Sequence, residues 1–184
     1  NEGTTLMMMG RYPEALKKLR RSIVLDPGNP LPYINRAVLY LSMSNYIAAL
    51  SDINKALASR SDHPWLLVKR AYIYKLMARG DRALSDLDEA LELTPDNYEA
   101  LILRGSLYYN PKQLERAMQD LNGAIQLLPD DPAAYQLLAE ALLRKGDTAE
   151  ALQKVDLSLK KEPSFVPAYI TLGDIHMADS HIDR

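Results

Sequence analysis

The sequence predicts an all-α fold built from helix hairpins that repeat every 34 residues, and three observations lead to this prediction. Prolines recur at that interval: Pro95, Pro129 and Pro163 are one interval apart, and Pro27 lies two intervals before Pro95. Small residues recur at the same interval in three columns. Large apolar residues recur between them at spacings that place them on one helical face. Such periodicity is the sequence signature of stacked repeats, in which each unit buries its apolar face against its neighbours.

Six repeats follow when these prolines are assigned to repeat position 32, and no repeat requires an insertion or a deletion. Ser61 stands where the missing proline would fall. The first repeat enters at position 6 and the last stops at position 19, so that both are partial. We therefore expect residues 1–184 to form a single array with repeats at 1–29, 30–63, 64–97, 98–131, 132–165 and 166–184.

Three repeat positions carry small side chains. Position 8 is occupied by Gly3, Ala37, Ala71, Gly105, Ala139 and Gly173. Position 20 is alanine in every repeat that reaches it, namely Ala15, Ala49, Ala83, Ala117 and Ala151. Position 27 is occupied by Ser22, Ala56, Ala90, Ala124 and Ser158. Helices approach closely only where no bulky side chain separates them, so these columns predict the seams between two antiparallel helices and between successive hairpins.

Turn residues separate the two predicted helices of each repeat. Position 15 carries Gly10, Ser44, Gly146 and Ser180, and we expect the bend of the hairpin there. Prolines at positions 1 and 32 mark the borders between repeats, because proline starts a helix readily but cannot continue one. A single hairpin of this kind cannot bury its apolar face alone.

The column pattern resembles the tetratricopeptide repeat family. It can be read in Tyr169-Ile170-Thr171-Leu172-Gly173, and again in Leu101, Gly105, Tyr108, Ala117, Leu121, Ala124 and Pro129. The resemblance covers the whole chain. It implies a right-handed superhelical α-solenoid of antiparallel helix hairpins, in which the first helix of each repeat lines a concave groove.

Composition excludes several functional classes. The chain has 184 residues with a net charge of -2, which argues against a nucleic-acid partner because no basic excess is present to displace phosphate counterions. The absence of cysteine removes disulfides and thiolate chemistry, and is typical of a reducing compartment. No apolar run is long enough for membrane insertion and no signal peptide is evident. We expect an intracellular, most simply cytoplasmic, protein.

A charge pair recurs and varies between repeats. Position 7 is arginine and position 23 is aspartate in three repeats, which predicts the pairs Arg36–Asp52, Arg70–Asp86 and Arg104–Asp120. A hairpin folded about position 15 places these positions opposite each other, where an arginine and a carboxylate can form a bidentate contact. The first repeat carries the reversed pair Glu2 and Lys18, and the fifth has Leu138 with Lys154. This covariation favours structural ion pairs over arginines that await a ligand's carboxylate.

No catalytic constellation can be proposed, and we expect neither enzymatic activity, nor a cofactor, nor a metal. His176 and His181, with Asp179 and Asp183, could be read as a metal site. Their i,i+5 spacing does not place both histidines on one helical face, however. His176 occupies a column that is tyrosine in three repeats, which favours a packing role.

A stripe on the first helices is the candidate binding surface. Repeat positions 2, 5, 6, 9, 12 and 13 point away from the hairpin partner, and an apolar stripe there is unexpected unless something covers it. Trp and Tyr are the residue types that dominate binding energies. The predicted partner-binding residues are Ile34, Asn35, Val38, Trp65, Val68, Lys69, Tyr72, Leu76, Ile102 and Tyr109. The competing interpretation is that several of them pack against adjacent repeats.

Two subtypes known within the resembling family fit poorly. The clamp that holds chaperone tails requires residues that Thr4 and Trp65 do not provide. The asparagine ladder of the sugar-transferase arm requires Asn at position 6 throughout, and Lys69 and Leu103 depart from it.

We therefore expect a non-catalytic scaffold that binds a partner helix or an extended peptide segment in the groove. One alternative is a structural spacer in a longer repeat protein embedded in a large assembly, for example cytoskeletal or ciliary. Another is the repeat arm of an enzyme whose catalytic domain lies outside residues 1–184. The partial first and last repeats, and a first residue of Asn1 rather than Met, predict further repeats in the same longer chain.

Overall fold

The computed structural model describes residues 11–59, 63–108 and 110–182, with side chains to residue 179. These residues form ten α-helices and a short 3-10 helix at Pro111–Gln113, and none of them is in a strand. The first five helices are α1 (Tyr12–Leu25), α2 (Pro30–Ser42), α3 (Tyr46–Ser59), α4 (Pro64–Leu76) and α5 (Gly80–Leu93). The other five are α6 (Tyr98–Leu107), α7 (Leu114–Leu127), α8 (Pro132–Lys145), α9 (Thr148–Lys161) and α10 (Val166–Ile182).

The helix bounds recur at the predicted interval. The even-numbered helices, hereafter the first helices, each begin 34 residues after the previous one, from Pro30 to Val166. The odd-numbered second helices also begin 34 residues apart, from Tyr12 to Thr148, and they end at the same interval. Consecutive helices α2 and α3, α4 and α5, α6 and α7, and α8 and α9 pack together as hairpins. The predicted all-α class is confirmed.

The first helices begin at the predicted proline borders. Pro30, Pro64 and Pro132 are the first residues of α2, α4 and α8, where a missing N–H costs no helical hydrogen bond. Asn29 and Asp131 cap two of these helices by accepting a hydrogen bond from the backbone N–H two residues later. Local sequence thus determines where these three first helices start.

The turn between two helices of a hairpin uses a left-handed residue. Ser44, Ala78 and Gly146, all at repeat position 15, have φ of 55°, 55° and 94°. The prediction of a bend at position 15 fits Ser44 and Gly146, and Gly10 lies outside the described residues. It is wrong for Ser180, because α10 continues through it to Ile182. Ala78 was not expected there, since alanine tolerates this conformation less well than glycine.

Helix α6 is shorter than the other first helices. It ends at Leu107, and Pro111 begins the 3-10 helix that leads into α7. Proline lacks the N–H that would bond to the carbonyl of Leu107, and it disfavours helical backbone at the preceding residue, Asn110. The helix therefore stops a turn early, and Asn110 caps the 3-10 segment by accepting from the N–H of Lys112.

The chain divides into two compact units, Asn1–Thr94 and Pro95–Arg184. In the first unit, the small-residue columns are fully buried where helices meet, at Ala15, Ala37, Ala49, Ala56, Ala71, Ala83 and Ala90. In the second unit, the same columns are fully buried at Ala117, Ala124, Ala139, Ala151 and Ser158. Within the described part of the chain, no helix is long and apolar enough to cross a membrane.

Candidate interaction surface

The first unit exposes large apolar side chains on its first helices. Trp65, Tyr72 and Leu76 on α4 are each more than one third exposed, and so is Val38 on α2. Ile34, Asn35 and Lys69 lie beside them and are partly buried. Leu31, at the start of α2, is more exposed than any of these. We define the α2/α4 surface by its exposed members, Leu31, Val38, Trp65, Tyr72 and Leu76.

Val68 was predicted to belong to this surface, and that prediction is wrong. Its side chain is only 3% exposed. Helix α4 packs against both α3 and α5, so six of its thirteen residues are buried and Val68 is among them. A repeat position that faces away from the hairpin partner can therefore still be covered by the neighbouring hairpin.

The α2/α4 surface combines aromatic rings with positive charge. The ammonium group of Lys69 lies 5.3 Å from the centroid of the Trp65 ring, a cation–π contact that holds the indole in place. Helices α2 and α4 contain no Asp or Glu, whereas α4 contains Lys69 and Lys75. A segment that docks here would meet apolar area flanked by cationic groups.

A small cavity lies beside this surface. It has a volume of about 190 Å³ and is lined by Asn29, Pro30, Leu31, Ile34, His63 and Leu66, which come from the starts of α2 and α4. The Nδ1 atom of His63 is buried, and no hydrogen-bond partner for it is present in the described ranges. The cavity is large enough for one apolar side chain of a docked segment.

In the second unit, the predicted binding residues are less accessible. Ile102 on α6 is partly buried, its neighbour Leu103 is buried, and Tyr109 lies outside the described residues. Gln136 on α8, at repeat position 5, is also buried. Its side-chain amide donates hydrogen bonds to Glu140 and to Thr171 of α10, at 2.6 and 2.9 Å. Gln136 therefore joins two helices and does not present a binding group.

The structure brings together the three predicted Arg–Asp pairs in one geometry. In each, the arginine Nε and Nη2 atoms donate to the two carboxylate oxygens at 2.7–2.8 Å, which is the bidentate arrangement. The aspartates Asp52, Asp86 and Asp120 are buried and their arginines are partly buried. In the fifth repeat, Lys154 contacts Glu150 of its own helix. The reversed pair of the first repeat, Glu2 with Lys18, includes Glu2, which lies outside the described residues.

The arginines of these pairs are committed to the fold. Hydrogen bonding to Asp52 raises the pKa of Arg36, and hydrogen bonding to Asp86 raises that of Arg70, each against the opposing effect of burial. Arg70 also donates from Nη1 to Asn54 of α3 at 3.1 Å, so that it links two successive hairpins. Guanidinium groups in which two or three nitrogen atoms already donate hydrogen bonds within the fold are poorly placed to bind a ligand's carboxylate.

A second recurring contact was missed at the sequence level. The hydroxyl groups of Tyr33, Tyr135 and Tyr169 donate to the carbonyl oxygens of Pro27, Pro129 and Pro163, six residues earlier, at 2.8–3.2 Å. Tyrosine occupies repeat position 4 only in repeats that follow a proline at position 32. This co-occurrence of tyrosine and proline is the feature of the sequence from which the contact could have been predicted. The contact fastens the start of each of these first helices to the preceding loop.

The described residues contain no cluster of three His, Cys, Asp or Glu side chains that could hold a metal. His63 immediately precedes the first turn of α4, and His176 is exposed on α10. The side chain of His181 is outside the described set. What the described geometry offers is an exposed apolar surface and structural ion pairs.

The family model described as tetratricopeptide repeat matches residues 77–141 and 111–175, which together span more than half of the chain. The chain belongs to the tetratricopeptide repeat family. The resemblance predicted from the columns is thereby confirmed. Members of this family are generally non-catalytic scaffolds for protein–protein interaction.

Solved tetratricopeptide structures share the fold. MamA from Desulfovibrio magneticus RS-1 is 22% identical with a TM-score of 0.80, covering 90% of this chain and 93% of that one. PilF of Pseudomonas aeruginosa is 20% identical with a TM-score of 0.80, at 98% and 82% coverage. YrrB, described as a tetratricopeptide protein with an unusual peptide-binding site, is 19% identical with a TM-score of 0.76, at 93% and 88% coverage. No curated protein matches the chain.

Proposed function

We propose that this tetratricopeptide chain is a non-catalytic scaffold that binds a helix or an extended peptide segment of a partner protein on the α2/α4 surface. The observation that carries the proposal is the exposure of Leu31, Val38, Trp65, Tyr72 and Leu76 on two first helices of one unit. Exposed apolar patches of this kind mark interaction sites on folded proteins.

The chemistry of the surface supports a peptide-like ligand. Trp65 and Tyr72 lie seven residues apart on one helix, so their rings follow the helix axis at a spacing of two turns. Aromatic side chains contribute large contact area at a low cost in conformational entropy. The adjacent cavity of about 190 Å³ can receive one side chain of the ligand and fix its register.

The description of YrrB is consistent with this proposal. That protein is said to carry a peptide-binding site on the same fold. At 19% identity the likeness extends to the fold alone, so no residue of that site is transferred to this chain. Binding to this chain is therefore inferred from the exposed residues of α2 and α4.

The proposal is tested by affinity capture with the purified chain and with Trp65→Ala and Tyr72→Ala variants. Ile47→Ala is the matched control, because Ile47 is an equally apolar, exposed residue on the second helix α3. We expect each aromatic variant to lower recovery of a specific partner by about tenfold or more, and the control to leave it unchanged. Melting temperatures are compared first so that loss of folding is not mistaken for loss of binding.

Full recovery with Trp65→Ala and Tyr72→Ala at unchanged stability would reject the α2/α4 surface as the binding site. The spacer role in a longer assembly would then be the better explanation of the array. Recovery lost equally in the Ile47→Ala control would point to a partner that contacts the second helices.

A further inference from the structure

The second helices of the first unit share an exposed face whose charge changes sign from one helix to another. Repeat positions 22, 25, 26 and 29 form one stripe along each helix, and all of them are exposed in α1, α3 and α5. Helix α3 lies between the other two in the array, so the exposure of this face is not an effect of an open end. The α1/α3/α5 face consists of Lys17, Arg20, Arg21 and Val24 of α1, Ser51, Asn54, Lys55 and Ala58 of α3, and Ser85, Asp88, Glu89 and Glu92 of α5.

Helix α1 presents positive charge on this face. Its cations at positions 22, 25 and 26 are Lys17, Arg20 and Arg21. Glu14 is the only acidic residue of the helix, and Arg11 donates hydrogen bonds to both of its carboxylate oxygens at 2.7 and 2.6 Å. The acidic side chain of α1 is thus neutralised by a residue beside it, and the charge that α1 presents outward is positive.

Helix α5 presents the opposite charge at the same repeat positions. Its carboxylates at positions 25, 26 and 29 are Asp88, Glu89 and Glu92, and the first two of these positions are arginine in α1. The only cation of α5, Arg82, lies 5.8 Å from the centroid of the Tyr74 ring and is therefore held toward α4. The outward charge of α5 is negative.

Helix α3, between these two helices, carries short side chains on the face. Ser51, Asn54 and Ala58 allow another helix to approach closely, and the ammonium group of Lys55 lies 5.6 Å from the centroid of the Tyr33 ring. In the second unit, the same positions of α7 and α9 carry only one anion and one cation. They are Gln119, Asn122, Gly123 and Gln126 in α7, and Gln153, Asp156, Leu157 and Lys160 in α9.

We propose that the α1/α3/α5 face binds the same face of a second copy of this chain, in a dimer whose two-fold axis runs parallel to α3. That axis places α3 against α3 of the second copy, and α1 of each copy against α5 of the other. Arginine then meets carboxylate at positions 25 and 26 on both sides of the axis. An axis that crossed the helices would place α1 on α1 and bring like charges together.

The chain itself carries the complement of its basic helix, and this favours a second copy as the occupant of the face. The complementary charges stand at matching repeat positions, one repeat to either side of α3, which is the arrangement that a self-complementary two-fold interface requires. A single exposed ion pair contributes little, because water and salt screen it. The dimer therefore depends on several pairs acting together, and we expect it to be weak and sensitive to salt.

This interaction is independent of the proposed function. The α2/α4 surface lies on the first helices, whereas the α1/α3/α5 face lies on the second helices. Trp65→Ala is expected to leave self-association unchanged, and charge reversals on α1 or α5 are expected to leave recovery of the partner protein unchanged. Failure of either proposal can therefore be distinguished from failure of the other.

Sedimentation velocity of the purified chain over a concentration series at low and high salt tests the proposal. We expect a monomer–dimer equilibrium whose association constant falls about tenfold or more at high salt. Arg20→Glu/Arg21→Glu and Glu89→Lys/Glu92→Lys each bring like charges together on both sides of the axis, and each should weaken dimerisation about tenfold or more. Lys112→Glu/Arg116→Glu reverses two exposed cations of the second unit and is the matched control, which should dimerise as the wild type does. Circular dichroism checks that every variant is folded.

Mixing the two reversed variants gives the decisive measurement. In the mixed dimer, the acidic α1 of one variant meets the basic α5 of the other, and the two unchanged helices still carry opposite charges. We expect the mixture to dimerise about as strongly as the wild type. The Lys112→Glu/Arg116→Glu variant has the same net charge as Arg20→Glu/Arg21→Glu, but it should pair with Glu89→Lys/Glu92→Lys about tenfold more weakly.

Three results would overturn the proposal. They are a chain that sediments as a monomer at low salt, self-association that neither reversal weakens, and a mixture of the reversed variants that remains monomeric. If α1 instead binds an acidic segment of another protein, the chain is a monomer and only Arg20→Glu/Arg21→Glu lowers recovery of that protein, which also rejects the dimer.

Discussion

Removing one side of an Arg–Asp pair tests how the hairpins are held together, and Arg70 with Asp86 is the most informative choice. The two guanidinium–carboxylate bonds of this pair are 2.8 and 2.7 Å long, and Arg70 also donates a hydrogen bond to Asn54 on the preceding hairpin. The Asp86 side chain is 7% exposed and that of Arg70 is 24% exposed. The two truncations should therefore have unequal effects.

Arg70→Ala leaves a buried carboxylate without a cation, and we expect it to lower the free energy of unfolding by about 2–4 kcal/mol. The value lies below the fully buried limit because water still reaches this site through the exposed part of the pair. Asp86→Ala leaves a guanidinium that retains Asn54 and solvent, so we expect a smaller loss of about 1–2 kcal/mol. The double variant should lose about 2–3 kcal/mol, because neither charge then remains unpaired.

The assay is chemical denaturation of the wild type, both single variants and the double variant, followed by far-UV circular dichroism. The expected coupling is about 1–3 kcal/mol, with the double variant more stable than the summed single losses predict. Asp130→Ala is the control, since its partner Lys161 forms a surface pair in which the aspartate is almost fully exposed, and no clear change in melting temperature is expected. Additive losses in the Arg70 and Asp86 variants would refute the conclusion that the pair acts as one buried unit.

Three further predictions follow from single positions. Gly105→Ala should destabilise the chain by about 1–3 kcal/mol, because its Cβ would clash with Leu121, whereas Gly173→Ala should be neutral or stabilising, because nothing lies within 4 Å of its added Cβ. Thermal unfolding compares the two variants, and equal losses would contradict this difference in packing. Ala78→Gly should stabilise by about 0.5–1 kcal/mol by relieving a φ of 55°, and a loss in the same assay would contradict strain there. Burial, and after it the nearby carboxylate of Asp131, raises the pKa of Tyr98, so the neutral form is favoured in the folded state and stability falls as pH rises above about 10. Tyr98→Phe should be about 0–1 kcal/mol more stable and less alkali-sensitive, because the hydroxyl is buried; a clear loss would show that the hydroxyl is bonded.

The helices and ion pairs could be predicted from the sequence because each depends on residues within one repeat. Proline at position 1 and small residues at the seams determine where a helix starts and where backbones approach, and Arg36 with Asp52 revealed its pairing by recurring sixteen residues apart. Pro111 is also a sequence signal for the early end of α6. Tyrosine at position 4 after a proline at position 32 is a signal for the hydrogen bond between the tyrosine hydroxyl and the proline carbonyl.

Accessibility of the candidate surface was harder to predict because it depends on neighbouring hairpins. Val68 and Trp65 are three residues apart on α4, yet one is buried and the other exposed. The periodicity of one helix does not predict which of the two side chains is buried, since the packing of α3 and α5 determines which part of α4 is covered. The same reason explains Gln136, a polar residue whose partner Thr171 lies in the next repeat.

Footprinting of the partner complex tests the central claim most directly. The captured complex and the free chain are exposed to hydroxyl radicals, and side-chain oxidation is compared by mass spectrometry at Trp65 and Tyr72 on the α2/α4 surface and at Ile47 on α3. A scaffold that uses the α2/α4 surface predicts that oxidation of Trp65 and Tyr72 falls in the complex while that of Ile47 is unchanged. Undiminished oxidation of both aromatic side chains in a stable complex would contradict the account.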